Sequence, residues 1–204
     1  MNLALALDNS VADVVFPITG HALPRDHAQA LKQALCAHWP WLATDAQAAI
    51  HPIKLVPGLD ALALLSKRSN LLVRVDSPRA DALLALAGLD LVVDGHPLHL
   101  GSAHRRELQP HATLYAYKVA AESADEVTLM ASVEQELAVL GVGGERVCGK
   151  RHSMQVAGQV VTTFSLMLHA LKPDQSMRLQ QRGLGASRLL GCGIFVPHKS
   201  AAAV

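Results

Sequence analysis

Aromatic residues are scarce in this 204-residue chain, which has three Phe, two Tyr and two Trp. That scarcity argues against the common single-sheet way of presenting RNA, in which bases stack on aromatic side chains displayed across the strands. Cysteine is scarce as well. Cys36, Cys148 and Cys192 lie far apart and form no metal-type pair, so no disulfide framework is expected and a reduced, cytoplasmic compartment is. No apolar run reaches the roughly twenty residues that span a bilayer. The opening Met1–Leu7 segment lacks a basic leader and is followed by Asp8, so no secretory signal is expected. Half of the residues are apolar, and the length suffices for one large domain or two small ones with real cores.

Acidic residues are missing from one end of the chain. Residues 146–204 carry 8 Lys or Arg and one acid, Asp174, whereas residues 1–145 carry 10 Lys or Arg against 16 Asp or Glu. A basic end within a folded chain points to a polyanionic partner, with nucleic acid first among the candidates; with no spanning run, no membrane partner is expected. A merely solubilising basic face is the alternative.

Hydrophobic periodicity divides the chain into two matching halves. Val11 to Ile18 reads as a strand, and Pro24 to His38 as a helix striped by Leu31, Leu35 and Trp39. Ile50 to Val56 and Leu71 to Val75 read as strands. Ser77-Pro78 opens a helix that Gly88 closes, and Leu89 to Leu100 holds short strands around Asp94-Gly95. The second half repeats the order. Thr113 to Val119 is a strand, and Ser123 with Glu126 forms a capping box ahead of a helix striped by Val127, Met130, Val133, Leu137 and Leu140. Val147 to Val156 and Val160 to Leu171 flank the hairpin signal Ala157-Gly158-Gln159. Pro173 starts a helix, Gly183 ends it, and Ile194 to Val196 is the last strand. Each half is β-α-β-β-α-β, so the expected class is α+β. It comprises two tandem ferredoxin-like (RRM-like) domains, residues 1–100 and 111–204, joined by a connector at 101–110. With no aromatic pair expected on a central strand, basic loops and a basic hairpin are the expected RNA contacts.

The segment Gln180 to Phe195 gathers Gly183, Gly185, Gly191 and Gly193 around Arg182 and Arg188. Glycine permits positive φ and close backbone approach, and arginine offers a planar fork suited to phosphate. The glycines follow a helix and do not sit between a strand and a helix, as a dinucleotide fingerprint requires. No Lys-Ser or Lys-Thr pair follows them, which excludes a nucleoside-triphosphate loop. Their expected role is to support an RNA backbone, binding it without cutting.

The motif Gly183-Leu184-Gly185-x-x-Arg188-x-x-Gly191-Cys192-Gly193-Ile194-Phe195, closing a duplicated ferredoxin-like chain, resembles the Cas-six family of CRISPR repeat-processing endoribonucleases. So do Asp13-Val14-Val15-Phe16-Pro17, Leu23-Pro24-Arg25-Asp26-His27-Ala28-x-Ala30-Leu31 and Ile50-His51-Pro52-Ile53, which are similar to the compact type I members. The resemblance covers essentially the whole chain. It implies metal-independent cleavage of precursor CRISPR RNA within each repeat, without a cofactor. The RNA's own 2′-hydroxyl would be the nucleophile, leaving a 2′,3′-cyclic phosphate and a 5′-hydroxyl. It also implies that the protein stays on the repeat stem-loop and hands the guide to other subunits of a CRISPR effector complex. The family's catalytic histidine sits in or beside the first helix, which places that role on His27.

Histidine suits proton transfer because its pKa lies near neutrality. Eleven compete here. His27 falls in the first turn of the first expected helix, where the dipole favours a neutral imidazole and Asp26 opposes this. A half-buried edge histidine, one turn before Leu31, is the plain alternative. His21, in the preceding loop, is the runner-up, while His38 and His51 read as packing or surface residues. Nothing in the sequence identifies a second catalytic group. Arg146, Lys150 and Arg151 fall on the ascending arm of the second-half hairpin, and the resemblance implies RNA contacts there. Arg178 and Arg182 share a helix face and, with Arg188, are expected to track phosphates along an RNA stem. His96, His99, His104 and His111 lack a carboxylate at fixed spacing, so no metal is expected. A non-catalytic RNA-binding subunit of the same architecture is the rival reading, and a small-molecule-binding ferredoxin-like protein a more distant one.

Overall fold

The computed structural model describes residues 10–59, 61–85 and 87–199. The Met1–Leu7 segment considered above lies outside the described residues. The first domain runs β1 (Val11–Thr19), β2 (Ala22–Pro24), α1 (Ala28–His38), β3 (Ala49–Ile50), β4 (Val56–Pro57), β5 (Leu62–Leu64), β6 (Asn70–Asp76), α2 (Ser77–Leu84), β7 (Asp90–Val93) and β8 (His96–Leu100). Its main sheet has the order β3-β6-β1-β8-β7. The second domain runs β10 (Leu114–Ala121), α3 (Glu126–Leu140), β11 (Glu145–Val156), β12 (Gln159–His169), α4 (Pro173–Arg182) and β13 (Val196–Pro197), with sheet order β11-β12-β10-β13. Both are the βαββαβ arrangement that the periodicity suggests.

Several local readings need correction. Residues 101–110 are not a bare connector, because β9 (His104–Glu107) pairs antiparallel with Ala12–Val15 of β1. The strand expected over Ile50 to Val56 survives only at its two ends, and β2, β4 and β5 form a separate small sheet. The first helix begins at Ala28, with His27 as its N-cap and Pro24 closing β2. Asp76, one residue before Ser77, caps α2 by accepting from the Arg79 amide. Asp125 caps α3 and Ser123 stands back to accept from the Asp125 amide. A carboxylate nearer the helix displaces the hydroxyl in both cases. An aromatic pair does occur on an interior strand. Tyr115 and Tyr117 of β10 meet edge to face at 5.0 Å, and His198 packs 5.4 Å from Tyr115.

Each sheet buries its inner face under its two helices. Phe16, Leu31, Leu35, Leu71, Val73 and Leu98 anchor one core, and Leu114, Val119, Val133, Leu166 and Phe195 the other. A buried charge network locks the halves together. Asp13 on β1 lies opposite Arg74 on β6 and opposite Arg106 on β9. Its carboxylate accepts from Arg74 Nε at 2.7 Å and from Arg106 Nη2 at 2.7 Å. Arg74, 1% exposed, then reaches across to donate to the carbonyls of Gln180 at 2.8 Å and Phe195 at 3.0 Å in the second domain. Burying a guanidinium is tolerable only when its donors are met, and here two carbonyls and a carboxylate meet them. Burial pushes the Asp13 carboxyl up, but Arg74 and His51 outweigh it and hold it well below its ordinary value.

Candidate active site

A cavity of about 330 Å³ opens at the seam between the domains. The first domain contributes the start of α1 with Arg25, Asp26 and His27, and the irregular run Ile50–Pro57; the second contributes Lys118 and Leu189–Gly191. His27 is 7% exposed. The N-cap position fixes its backbone (φ −90°, ψ −4°), and its Nδ1 lies 3.0 Å from the Pro24 carbonyl oxygen. A carbonyl only accepts, so Nδ1 carries the proton and Nε2 of the neutral ring keeps its lone pair. Burial pushes the His27 imidazole below its ordinary pKa; the backbone bonds at Pro24 and Arg25 oppose this, and the Lys118 charge adds to it. The result is a neutral imidazole at the cavity wall. Asp26 is otherwise engaged, accepting from the Gln155 amide at 3.0 Å and so tying the start of α1 to β11. His21 is exposed and does not line the cavity.

Lys118, which the sequence did not single out, also lines the cavity. The β10–β12 register slips between Ala116 and Val119, giving β10 one extra residue, and such bulges re-aim side chains. The Lys118 carbonyl accepts from the Gly193 amide at 2.7 Å, so the glycine loop also holds this turn of the strand. His51, read above as packing or surface, is buried but lines the same cavity, with Nε2 3.3 Å from Asp13 Oδ1.

The glycine loop itself is packed inside. Gly183, Gly191 and Gly193 are buried and have φ of +65°, +84° and +64°. A Cβ on Gly193 would overlap the Leu184 carbonyl, one on Gly183 would overlap the Gly193 carbonyl, and one on Gly191 would come within 2.7 Å of Pro52 Cγ in the first domain. Only Gly185 is exposed, with its amide donating to Glu136 Oε2 at 2.7 Å. Arg188 is 7% exposed, donates to the Gln181 carbonyl at 3.1 Å, and has no hydrogen-bond partner for Nε and Nη1. Burial, with Arg74 and Arg182 nearby, lowers its pKa to about 10. It does not lie on the surface with Arg178 and Arg182.

The other expected contacts are exposed. Arg146, Lys150 and Arg151 all stand on β11, where Arg146 pairs with Glu134 at 3.3 Å. Arg178 is engaged by Asp174 at 2.6 Å and by the Gly141 carbonyl, and Arg182 is exposed. Among the described residues no three His, Cys, Asp or Glu side chains gather to hold a metal ion, and His99 is instead 2.6 Å from Asp90. No described helix is long and apolar enough to cross a membrane.

Known proteins share this fold. Residues 12–200 match the family described as Cas6 Crispr. The chain is 33% identical over 193 residues to the CRISPR-associated endonuclease Cas6 of Myxococcus xanthus, covering 94% of this chain and 84% of that one. A solved CRISPR associated protein Cas6 superimposes with a TM-score of 0.67 at 9% identity, over 93% of this chain and 100% of that one. A protein titled as a RAMP protein binding different RNA substrates superimposes with a TM-score of 0.61 at 9% identity, over 90% and 98%. These two likenesses establish the tandem fold, and the sequence match over nearly the full length establishes more: the chain belongs to the Cas6 family of CRISPR-associated endonucleases.

Proposed function

We propose that this protein cuts precursor CRISPR RNA within its repeats by metal-independent transfer of the phosphodiester to the RNA's own 2′-hydroxyl. The observation that carries the reading is the pairing of His27 and Lys118 across one cavity, a neutral histidine with Nε2 available and an ammonium from the other domain. Nε2 takes the 2′-hydroxyl proton as O2′ bonds to phosphorus. The bond from phosphorus to O5′ breaks, leaving a 2′,3′-cyclic phosphate on one fragment and a 5′-hydroxyl on the other. Lys118 offsets the charge that builds on the phosphoryl oxygens and supplies the proton to O5′. An intramolecular nucleophile needs only proton transfers and charge stabilisation, and these two side chains provide both.

The exposed β11 cations Arg146, Lys150 and Arg151, with Arg178 and Arg182, are placed to hold the repeat stem-loop by its phosphates. The buried Gly183, Gly191, Gly193 and Arg188 act from beneath, as the frame of the cavity, while Gly185 stays at the surface. The protein remains on its product and passes the guide to other subunits of a CRISPR effector complex, in the cytoplasm. The test replaces the nucleotide 5′ of the mapped cut by its 2′-deoxy form, in excess chelator. Unmodified repeat should be cleaved to a 5′-hydroxyl product and the deoxy repeat should be bound but uncut. Cleavage of the deoxy repeat, or a strict requirement for added metal, contradicts the reading.

A further inference from the structure

The cavity is larger and more apolar than two proton-transfer groups require. Its lining includes Leu31, Ile50, Ile53, Leu55 and Leu190, and its volume of about 330 Å³ is that of a small-ligand pocket. His51 stands among these apolar residues, while Arg25, Asp26, His27 and Lys118 line the same cavity. Asp13 is ionised by its contacts with Arg74 and Arg106, and an ionised carboxylate only accepts, so His51 Nε2 must donate to it. In the neutral ring that leaves Nδ1 as an acceptor, and among the described residues it has no hydrogen-bond partner. The groups facing this ring are Asp13, Arg74 and Arg106. Burial and the two arginines favour its neutral form, against the pull of Asp13. Because Asp13 is also pinned by the arginines of β6 and β9, the imidazole is held in one orientation.

A largely apolar lining with a fixed acceptor at His51, apart from the His27 imidazole, fits a flat ring that carries an N–H donor at its edge. Enzymes working on nucleic acids read an unstacked base in this way, by apolar contact on its faces and hydrogen bonds at its edge. We infer that the cavity takes the unstacked base of the nucleotide whose 2′-hydroxyl attacks, with His51 Nδ1 accepting from an N–H on that base. The inference rests on the reading of His27 as the base acting on that same nucleotide. His51 is then a specificity-determining residue that also sets the sugar against His27.

The experiment uses the full chain and its repeat RNA, varying only the nucleotide 5′ of the cut among the four bases and an abasic ribonucleotide that keeps its 2′-hydroxyl. With the wild-type protein, loss of the base should lower kcat/KM about ten- to a hundred-fold, the scale of a base seated against apolar groups and one hydrogen bond. The four bases should be unequal. In His51→Phe, which keeps a flat ring and removes the acceptor, their rates should converge to within about threefold. If that variant does not fold, Leu55→Trp, which narrows the slot away from Asp13, should slow the parent repeat and spare the abasic one. Equal cleavage of parent and abasic repeats by the wild type overturns the inference and leaves the proposed function standing. Failure to cleave any repeat overturns the proposed function itself.

Discussion

Two glycine- and arginine-bearing segments of the second domain look alike in sequence and differ in kind. The β11–β12 hairpin displays Arg146, Lys150 and Arg151 to solvent around a tight Ala157-Gly158 turn, both residues at positive φ. The loop Gly183–Gly193 turns inward, with Arg188 and three of its four glycines buried. In the hairpin, glycine serves a turn and arginine faces solvent. In the loop, glycine lets backbone pack on backbone, the Gly193 amide holds the Lys118 carbonyl, and Leu189–Gly191 line the cavity against the first domain. Exposure therefore separates the cations proposed to contact RNA from the buried residues that frame the cavity.

That contrast is sharpened first by Gly193→Ala. Its methyl group would overlap the Leu184 carbonyl at a positive-φ position, so a destabilisation on the order of 4 kcal/mol is expected in denaturant melts. Gly185→Ala, equally positive in φ but with its nearest neighbour 3.6 Å away, should cost only about 1 kcal/mol. Equal losses would break the distinction within the loop. Lys118→Ala should slow single-turnover cleavage about a hundredfold with the fold intact. It should also move a pH break. A general base works when deprotonated, so the rate should rise with pH and level off below the ordinary imidazole pKa of 6.5, because burial lowers that of His27. Removing the neighbouring ammonium should carry the break upward. A wild-type profile still climbing at alkaline pH would assign the base elsewhere. The hairpin gives the smallest effect on chemistry. Lys150→Ala with Arg151→Ala should leave bound-state cleavage unchanged, weaken RNA binding, and reduce the slope of log K against log salt by about 1.5.

The sequence carries the domain pattern well, because each half alternates period-two and period-3.6 stripes that its own core enforces. His27 can be singled out from the sequence mainly through the family resemblance, which points to a histidine in or beside the first helix. Lys118 is not, since its aim into the cavity depends on a one-residue bulge against β12 and on an amide 75 residues further along, at Gly193. His51 gains its partner, Asp13, only when β1 and β6 pair and the Ile50–Pro57 run folds over them. Arg188 reads as a surface cation in a basic stretch, and only the packing of the loop beneath Arg182 and beside Arg74 buries it. The tyrosine pair was within reach, for an i, i+2 spacing on a strand puts Tyr115 and Tyr117 on one face.

The most direct measurement compares wild type and His27→Ala on the same repeat RNA, with Kd and single-turnover cleavage determined together in excess chelator. Unchanged Kd with cleavage slowed by about a thousandfold or more is the expected result, because the variant removes a proton acceptor and leaves every exposed cation in place. Cleavage within tenfold of wild type would take the chemistry away from His27 and from the cavity that surrounds it.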